Sequence, residues 1–177
     1  MKKYELTSET KVINGVELHR IKALESFGNI KKGELGGWIE SEKNLSQYGD
    51  AWVYEHAKVF DNAMVGGDAT IRGYATVYGK AMVGGDATVR GNATVRGNAW
   101  VGENATVGEN ADYIVFKNWW SSGRYFTWTR SNNKWRVGCF YGSGEELIAK
   151  AYKDSEKSGR EYERVVKYVE SILKEAK

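Results

Sequence analysis

Alanine recurs every six residues from Ala51 to Ala111, at eleven consecutive positions, and no other feature constrains the fold as strongly. Two residues after each of the first ten alanines stands Val or Ile, from Val53 and Val59 through Ile71 to Val107. A helix turns residues six apart to nearly opposite sides, so it cannot present this repeat on one face. A four-residue strand followed by a two-residue corner can, with Ala and Val pointing inward and the alternate residues outward. The corners carry Gly67-Asp68, Gly85-Asp86 or Gly91-Asn92, types that tolerate the positive φ of a tight turn. The chain contains no proline, in keeping with strands that use their backbone donors.

Units this short cannot bury a face alone and must stack. Written as Val65-Gly66-Gly67-Asp68-Ala69-Thr70, the unit resembles the hexapeptide repeat of left-handed parallel β-helices. The resemblance implies three units per triangular coil, with residues eighteen apart in register. Residues 45–116 then form about four coils, a prism about 19 Å tall at the inter-strand spacing, with Leu45 already in the alanine column. The predicted fold is mainly β: an N-terminal β cap (1–44), a left-handed parallel β-helix (45–116), and a C-terminal β-hairpin plus helices (117–177) forming an α+β domain.

Stacking by eighteen sorts the outward residues onto three faces. The first carries Ser46, Met64, Met82 and Trp100 beside Tyr48, Gly66, Gly84 and Gly102, and has no charge. An uncharged face on a polar prism reads as a protein interface. The proteins this repeat resembles are commonly trimers, which implies a homotrimer through Met64, Met82 and Trp100. The competing reading is that the chain's own C-terminal segment covers the face. The second face carries Trp52, Thr70, Thr88 and Thr106 beside Tyr54, Arg72, Arg90 and Gly108. The third carries Lys58, Thr76, Thr94 and Asp112 beside Phe60, Tyr78 and Arg96.

Ahead of the repeat, Asn14-Gly15 between two apolar runs predicts a tight hairpin. The segment Gly33-Glu34-Leu35-Gly36-Gly37-Trp38-Ile39-Glu40 follows, and Asn44-Leu45-Ser46-Gln47-Tyr48 leads into the first unit. With the repeat, these segments resemble YdcK-like hexapeptide-repeat proteins, many of them carried by phages and prophages, over roughly two thirds of the chain. The resemblance implies the fold and a mobile-element origin, and brings no settled activity.

After Tyr113 the period stops. Residues 125–130 and 134–140 read as two strands around Ser131-Asn132-Asn133. A helix opens after Ser143 as its cap. A second begins in a capping box at Ser158 and carries Tyr162, Val165, Val166, Val169, Ile172 and Leu173 on one face. Residues 126–147 also resemble the C-terminal module that follows such repeats in phage proteins.

Charge is uneven: +1 over residues 1–44, −3 over 45–112 and +5 over 113–177, with no acid between Tyr113 and Gly144. Arg72 and Arg90 would stack about 5 Å apart, with Arg96 on the next face, and such pairs repel unless an anion lies between them. The acid-free stretch adds aromatic planes and guanidinium groups, a mixture suited to nucleotides. The candidate ligand-binding residues are Arg72, Arg90, Arg96, Tyr78, Trp119, Trp120, Arg124, Arg130 and Arg136. Against this, the tryptophans could form a small core and the cations a solvated rim; Trp128 and Trp135 in particular read as core.

Acyltransferases that share this repeat use a catalytic histidine and often a loop interrupting the coils. Here the repeat is uninterrupted, and His19 (in a strand) and His56 (at a corner) both read as structural. The β-helix carbonic anhydrases hold zinc with three histidines, one more than this chain has. Cys139 reads as a buried, inert thiol in an apolar strand. The Asp50, Asp68 and Asp86 column reads as corner chemistry rather than a cation ladder. No catalytic, metal or cofactor residue is assigned.

The function read from the sequence is a non-enzymatic binding protein of phage or prophage type that sequesters a small anionic, nucleotide-like host molecule. One alternative is a structural or inhibitory protein that binds a host protein; another is a hexapeptide-repeat acyltransferase. No apolar run approaches eighteen residues and the N-terminus has no signal-type stretch. With a single cysteine as well, the expected location is the cytoplasm, that of the host if the protein is phage-encoded.

Overall fold

A computed structural model describes residues 2–175. The repeat folds into ten two-residue strands: β4 (Trp52–Val53), β5 (Lys58–Val59), β6 (Met64–Val65), β7 (Thr70–Ile71), β8 (Thr76–Val77), β9 (Met82–Val83), β10 (Thr88–Val89), β11 (Thr94–Val95), β12 (Trp100–Val101) and β13 (Thr106–Val107). Preceding them are β1 (Tyr4–Ile13), β2 (Val16–Ala23) and β3 (Leu35–Ile39). Every third repeat strand pairs in parallel, as in Trp52↔Thr70, Thr70↔Thr88 and Thr88↔Thr106, so the expected eighteen-residue register holds. The result is a solenoid of about four turns with three parallel sheets: β12-β9-β6, β13-β10-β7-β4, and a third in which β3, β5, β8 and β11 continue the hairpin of β1 and β2. The alanines from Ala51 to Ala105 and their Val/Ile partners are at most 2% exposed. Ala111 is exposed, because residues 110–112 form a 3-10 turn instead of another unit.

Parallel stacking gives the prism a polarity. Each coil's N–H groups donate to carbonyls of the next coil, as in Met64 N to Ala81 O at 3.0 Å and Thr70 N to Ala87 O at 2.8 Å. Strand pairing returns fewer bonds the other way, so the first coil is left mainly with unpaired carbonyls and the last mainly with unpaired N–H groups, each costly to bury unsatisfied. The N-terminal segment brings donors. Lys3 Nζ bonds Gly49 O (3.0 Å) and Ala51 O (2.9 Å), Tyr4 OH bonds Leu45 O (2.7 Å), and Asn44 Nδ2 bonds Ala63 O (2.9 Å). Trp38 N and Glu40 N serve Ala57 O and Val59 O. The other end receives mainly acceptors: Asn110 Oδ1 for Thr94 N (2.7 Å), Thr127 Oγ1 for Trp100 N (2.9 Å), Ser131 Oγ for Thr106 N (2.8 Å) and Asp112 Oδ2 for Gly108 N (2.8 Å), while Tyr113 OH donates to Thr94 O (2.8 Å).

The hairpin turns at Asn14 (φ 51°) and Gly15 (φ 83°), as its sequence predicts. At Gly37 a Cβ would lie 2.7 Å from both Ala57 O and Tyr54 O, so only glycine lets β3 pass this close to the first coil. Two expectations at this end are corrected. Leu45 bridges Val65 rather than Ala63, a shift of two residues that puts Ser46 over Gly66 instead of Met64. The Asn44 amide takes the carbonyl that a regular unit would have bonded. Trp52 is buried rather than outward, because Phe27 (ring centroids 5.4 Å apart) and Tyr4 (6.3 Å) cover it.

The C-terminal sheet runs antiparallel through β14 (Tyr113–Lys117), β15 (Tyr125–Thr129), β16 (Lys134–Val137) and β17 (Phe140–Gly142). It packs on α1 (Gly144–Asp154) and α2 (Glu156–Glu175) around Trp120, Phe126, Trp128, Trp135, Tyr162 and Val166. Ser143 caps α1 in a reciprocal capping box with Glu146. The expected box at Ser158 does not start α2: the helix begins earlier, with Ser158 N donating to Ser155 Oγ at 3.1 Å. Gly159 is needed inside α2, where the Tyr152 ring occupies the space of a Cβ. Cys139 is corrected as well, since the apolar run breaks at Gly138 (φ 57°) and leaves the thiol exposed at a turn.

Lys3→Met keeps the aliphatic stem but removes the donors to Gly49 O and Ala51 O. It should lower unfolding stability by about 1–3 kcal/mol, read from urea titration. A change below about 0.5 kcal/mol would mean that these bonds do not secure the cap.

Candidate functional site

The uncharged face of the solenoid forms the floor of a groove of about 710 Å³. Met64 and Met82 project from β6 and β9 and are exposed, while Gly66, Gly84 and Gly102 leave the adjoining row without side chains. Trp100 of β12 continues the methionine row but is half-covered. The cover is Arg136 of β16, whose Cζ lies 3.8 Å from the centroid of the Trp100 ring. The C-terminal sheet is placed there by the bond between Thr127 and Trp100 N and by the pairing of Thr127 with Arg136. The chain's own C-terminal domain thus covers one end of this face and leaves the methionines open.

Arg136 is mostly buried, with 18% of its side chain exposed. Its Nη1 lies 3.5 Å from Glu103 Oε1, and its Nε has no hydrogen-bond partner although it is buried. At the groove's opposite end stand Glu42, Lys43 and Tyr48, with Glu42 held by Lys2 at 2.6 Å. Burial, with Glu103 adding to it, pushes the Tyr141 phenol above its ordinary range, and Arg136 opposes the shift. This arrangement can take a molecule with a flat or apolar body and an anionic end: the body over the Met/Gly floor, the anion against Arg136.

The nine residues singled out from the sequence do not form one site. Arg136 lies in this groove. Arg96 and Tyr78 meet on the third face, where Arg96 Nη1 donates to Tyr78 OH at 3.4 Å, and Tyr78 stacks on Phe60 with centroids 5.1 Å apart. Arg72 and Arg90 are exposed on the second face, with Arg90 beside Gly108 and Asp112. Arg124 borders a cleft of about 240 Å³ with Asn118, Lys150 and Ser158, and Arg130 lies near Trp128 and Val169. Trp119 is exposed, whereas Trp120 is buried edge-on against Tyr162 (4.9 Å) and presents no free ring face. Trp128 and Trp135 are core, as their setting suggested.

Neither histidine lines the groove. His56 stacks on Tyr74 with centroids 4.8 Å apart and lies 3.9 Å from Glu55; His19 lies 3.7 Å from Glu17. Within the aspartate column, Asp68 Oδ1 accepts from Asp50 N at 2.8 Å, a corner bond that supports the turn reading. No helix among the described residues is long and apolar enough to cross a membrane. What sequence reading missed was Arg136 as a groove wall, since only the fold brings it to Trp100. The uncharged Met/Gly face was a visible clue to the floor.

No known protein-family profile matches the chain. Over 74 residues it is 32% identical to the "uncharacterized acetyltransferase YdcK" of Escherichia coli (strain K12), a match covering 37% of this chain and 23% of that protein. The chain therefore spans less than a quarter of that relative's length. The six-residue period, the stacked turns and this match together fit the hexapeptide-repeat β-helix proteins.

Proposed function

We propose that this hexapeptide-repeat protein is a non-enzymatic binding protein whose Met64/Met82/Trp100 groove holds a small anionic, nucleotide-like molecule. The observation that carries the reading is Arg136, clamped over Trp100 at the end of an apolar groove with a buried Nε that no protein atom satisfies. The exposed edge of a planar guanidinium is matched by a phosphate or carboxylate, and the methionine floor adapts to a flat body. The mobile-element origin implied by the sequence resemblance would make the ligand a host molecule removed by sequestration. Titration calorimetry against a panel of nucleotides and cyclic nucleotides should find a binder, and Arg136→Ala should weaken it by about 2 kcal/mol, or roughly thirtyfold. An absence of heat across the panel would remove the nucleotide class.

The groove face is also the face proposed for the homotrimer. Contact along its methionine edge would place the groove between copies and leave the Arg136 end open. Light scattering should then give three times the 19.9 kDa chain mass, and Met82→Glu should reduce it to one. A monomeric mass for the unaltered protein would reject the trimer and leave the groove proposal standing.

The name of the E. coli relative favours a second reading, acetyl transfer. It predicts turnover of acetyl-CoA that is lost in His56→Ala. The placement of His56 outside the groove, stacked on Tyr74, weighs against it.

A further inference from the structure

A second charged cluster lies on the outer side of the third sheet, built from residues that are far apart in sequence. Register sets Arg20 of β2 opposite Trp38 of β3, and Trp38 beside Lys58 of β5, so the three form one row across neighbouring strands. Lys11 of β1 reaches the same point: its Nζ is 3.9 Å from the centroid of the Trp38 ring, and the Arg20 Cζ is 5.9 Å from it. Two cations thus meet one indole, and Lys58 stands beside it in register. Arg20 is paired with Glu9 at 3.2 Å, while Lys11 and Lys58 have no ion-pair partner among the described residues. Glu40, two residues along from Trp38, is occupied by the backbone N–H of Asp61 at 2.6 Å.

Gathering like charges on a half-buried surface is unfavourable, and Lys11 registers it. Burial, then Lys58 and Arg20, lower the Lys11 ammonium to about 8, with Glu9 opposing; burial also lowers Lys58. A bridging anion would reverse that cost, since each cation gains a partner. Beyond Lys58 the same row continues into Thr76 and Thr94, whose side chains are short. The face of Trp38 is already taken by Lys11, which disfavours a stacked base and favours a compact oxyanion.

We propose that Lys11, Arg20 and Lys58, arranged around Trp38, form a binding site for a phosphate-class polyanion, separate from the groove. The test is calorimetric titration of the full chain with inorganic pyrophosphate, compared with sodium chloride at matched ionic strength. Saturable binding is expected, weakened at least about tenfold in Lys58→Gln and in Lys11→Gln. It should be retained in Lys58→Arg. Because the protonated Lys11 is the binding form, affinity should fall as pH rises from about 7 to about 9, through the lowered pKa. Thermal melts of each variant confirm that the fold persists. Three results would overturn the site: no saturable heat with pyrophosphate, equal affinity in Lys58→Gln, or full competition by chloride at matched ionic strength. Loss of binding in Arg136→Ala with retention in Lys58→Gln would place the anion in the groove instead.

Discussion

Most hydrogen bonds between stacked coils run from the N–H of one coil to a carbonyl of the next, and the rest of the molecule is organised by that net polarity. A column of parallel coils therefore presents an excess of carbonyls at one end and an excess of N–H groups at the other. The two ends need opposite chemistry. Lys3, Tyr4 and Asn44 supply donors to the first, while Asn110, Asp112, Thr127 and Ser131 supply acceptors to the last. An antiparallel sheet, whose edge strands expose donors and acceptors in equal number, would impose no such division of labour between two caps.

The surfaces with binding character follow from how the caps attach. To deliver Thr127 to Trp100 N, the C-terminal sheet lays β15 along the last coil, and the adjacent β16 then carries Arg136 over the Trp100 ring. At the other end, β3 enters the third sheet in parallel, and β1 and β2 extend that sheet as an antiparallel pair. The extension draws Lys11, Arg20 and Lys58 together around Trp38. The groove and the cationic cluster are thus both products of capping, and both lie where a cap meets the prism.

Much of the scaffold was legible in the residues. A period of six with Ala and Val at fixed places has one stacked solution, and Asn14-Gly15 specifies its hairpin through positive φ at both positions. Ser143 with Glu146 marked the start of α1 because a cap is a local matter. The misreadings share a cause. Leu45 left the alanine column because Asn44 supplied an alternative donor, Trp52 was covered by Phe27 from the cap, and Ser155 displaced Ser158 at the start of α2. In each case the deciding partner lay outside the pattern from which the expectation came.

The six-residue period determined that short units stack, and its resemblance to hexapeptide-repeat β-helices implied the eighteen-residue register and the uncharged Met/Gly face. Only the tertiary structure decided which cations act together. Arg72, Arg90, Arg96 and Arg136 are prominent in the chain yet lie on separate surfaces. Lys11 and Arg20, inconspicuous in the chain, share the indole of Trp38, with Lys58 beside it in register. The physical reason is that side chains from different elements meet only through strand pairing across caps, and that pairing is set by unsatisfied backbone groups at the ends of the prism. No periodicity in the sequence records it.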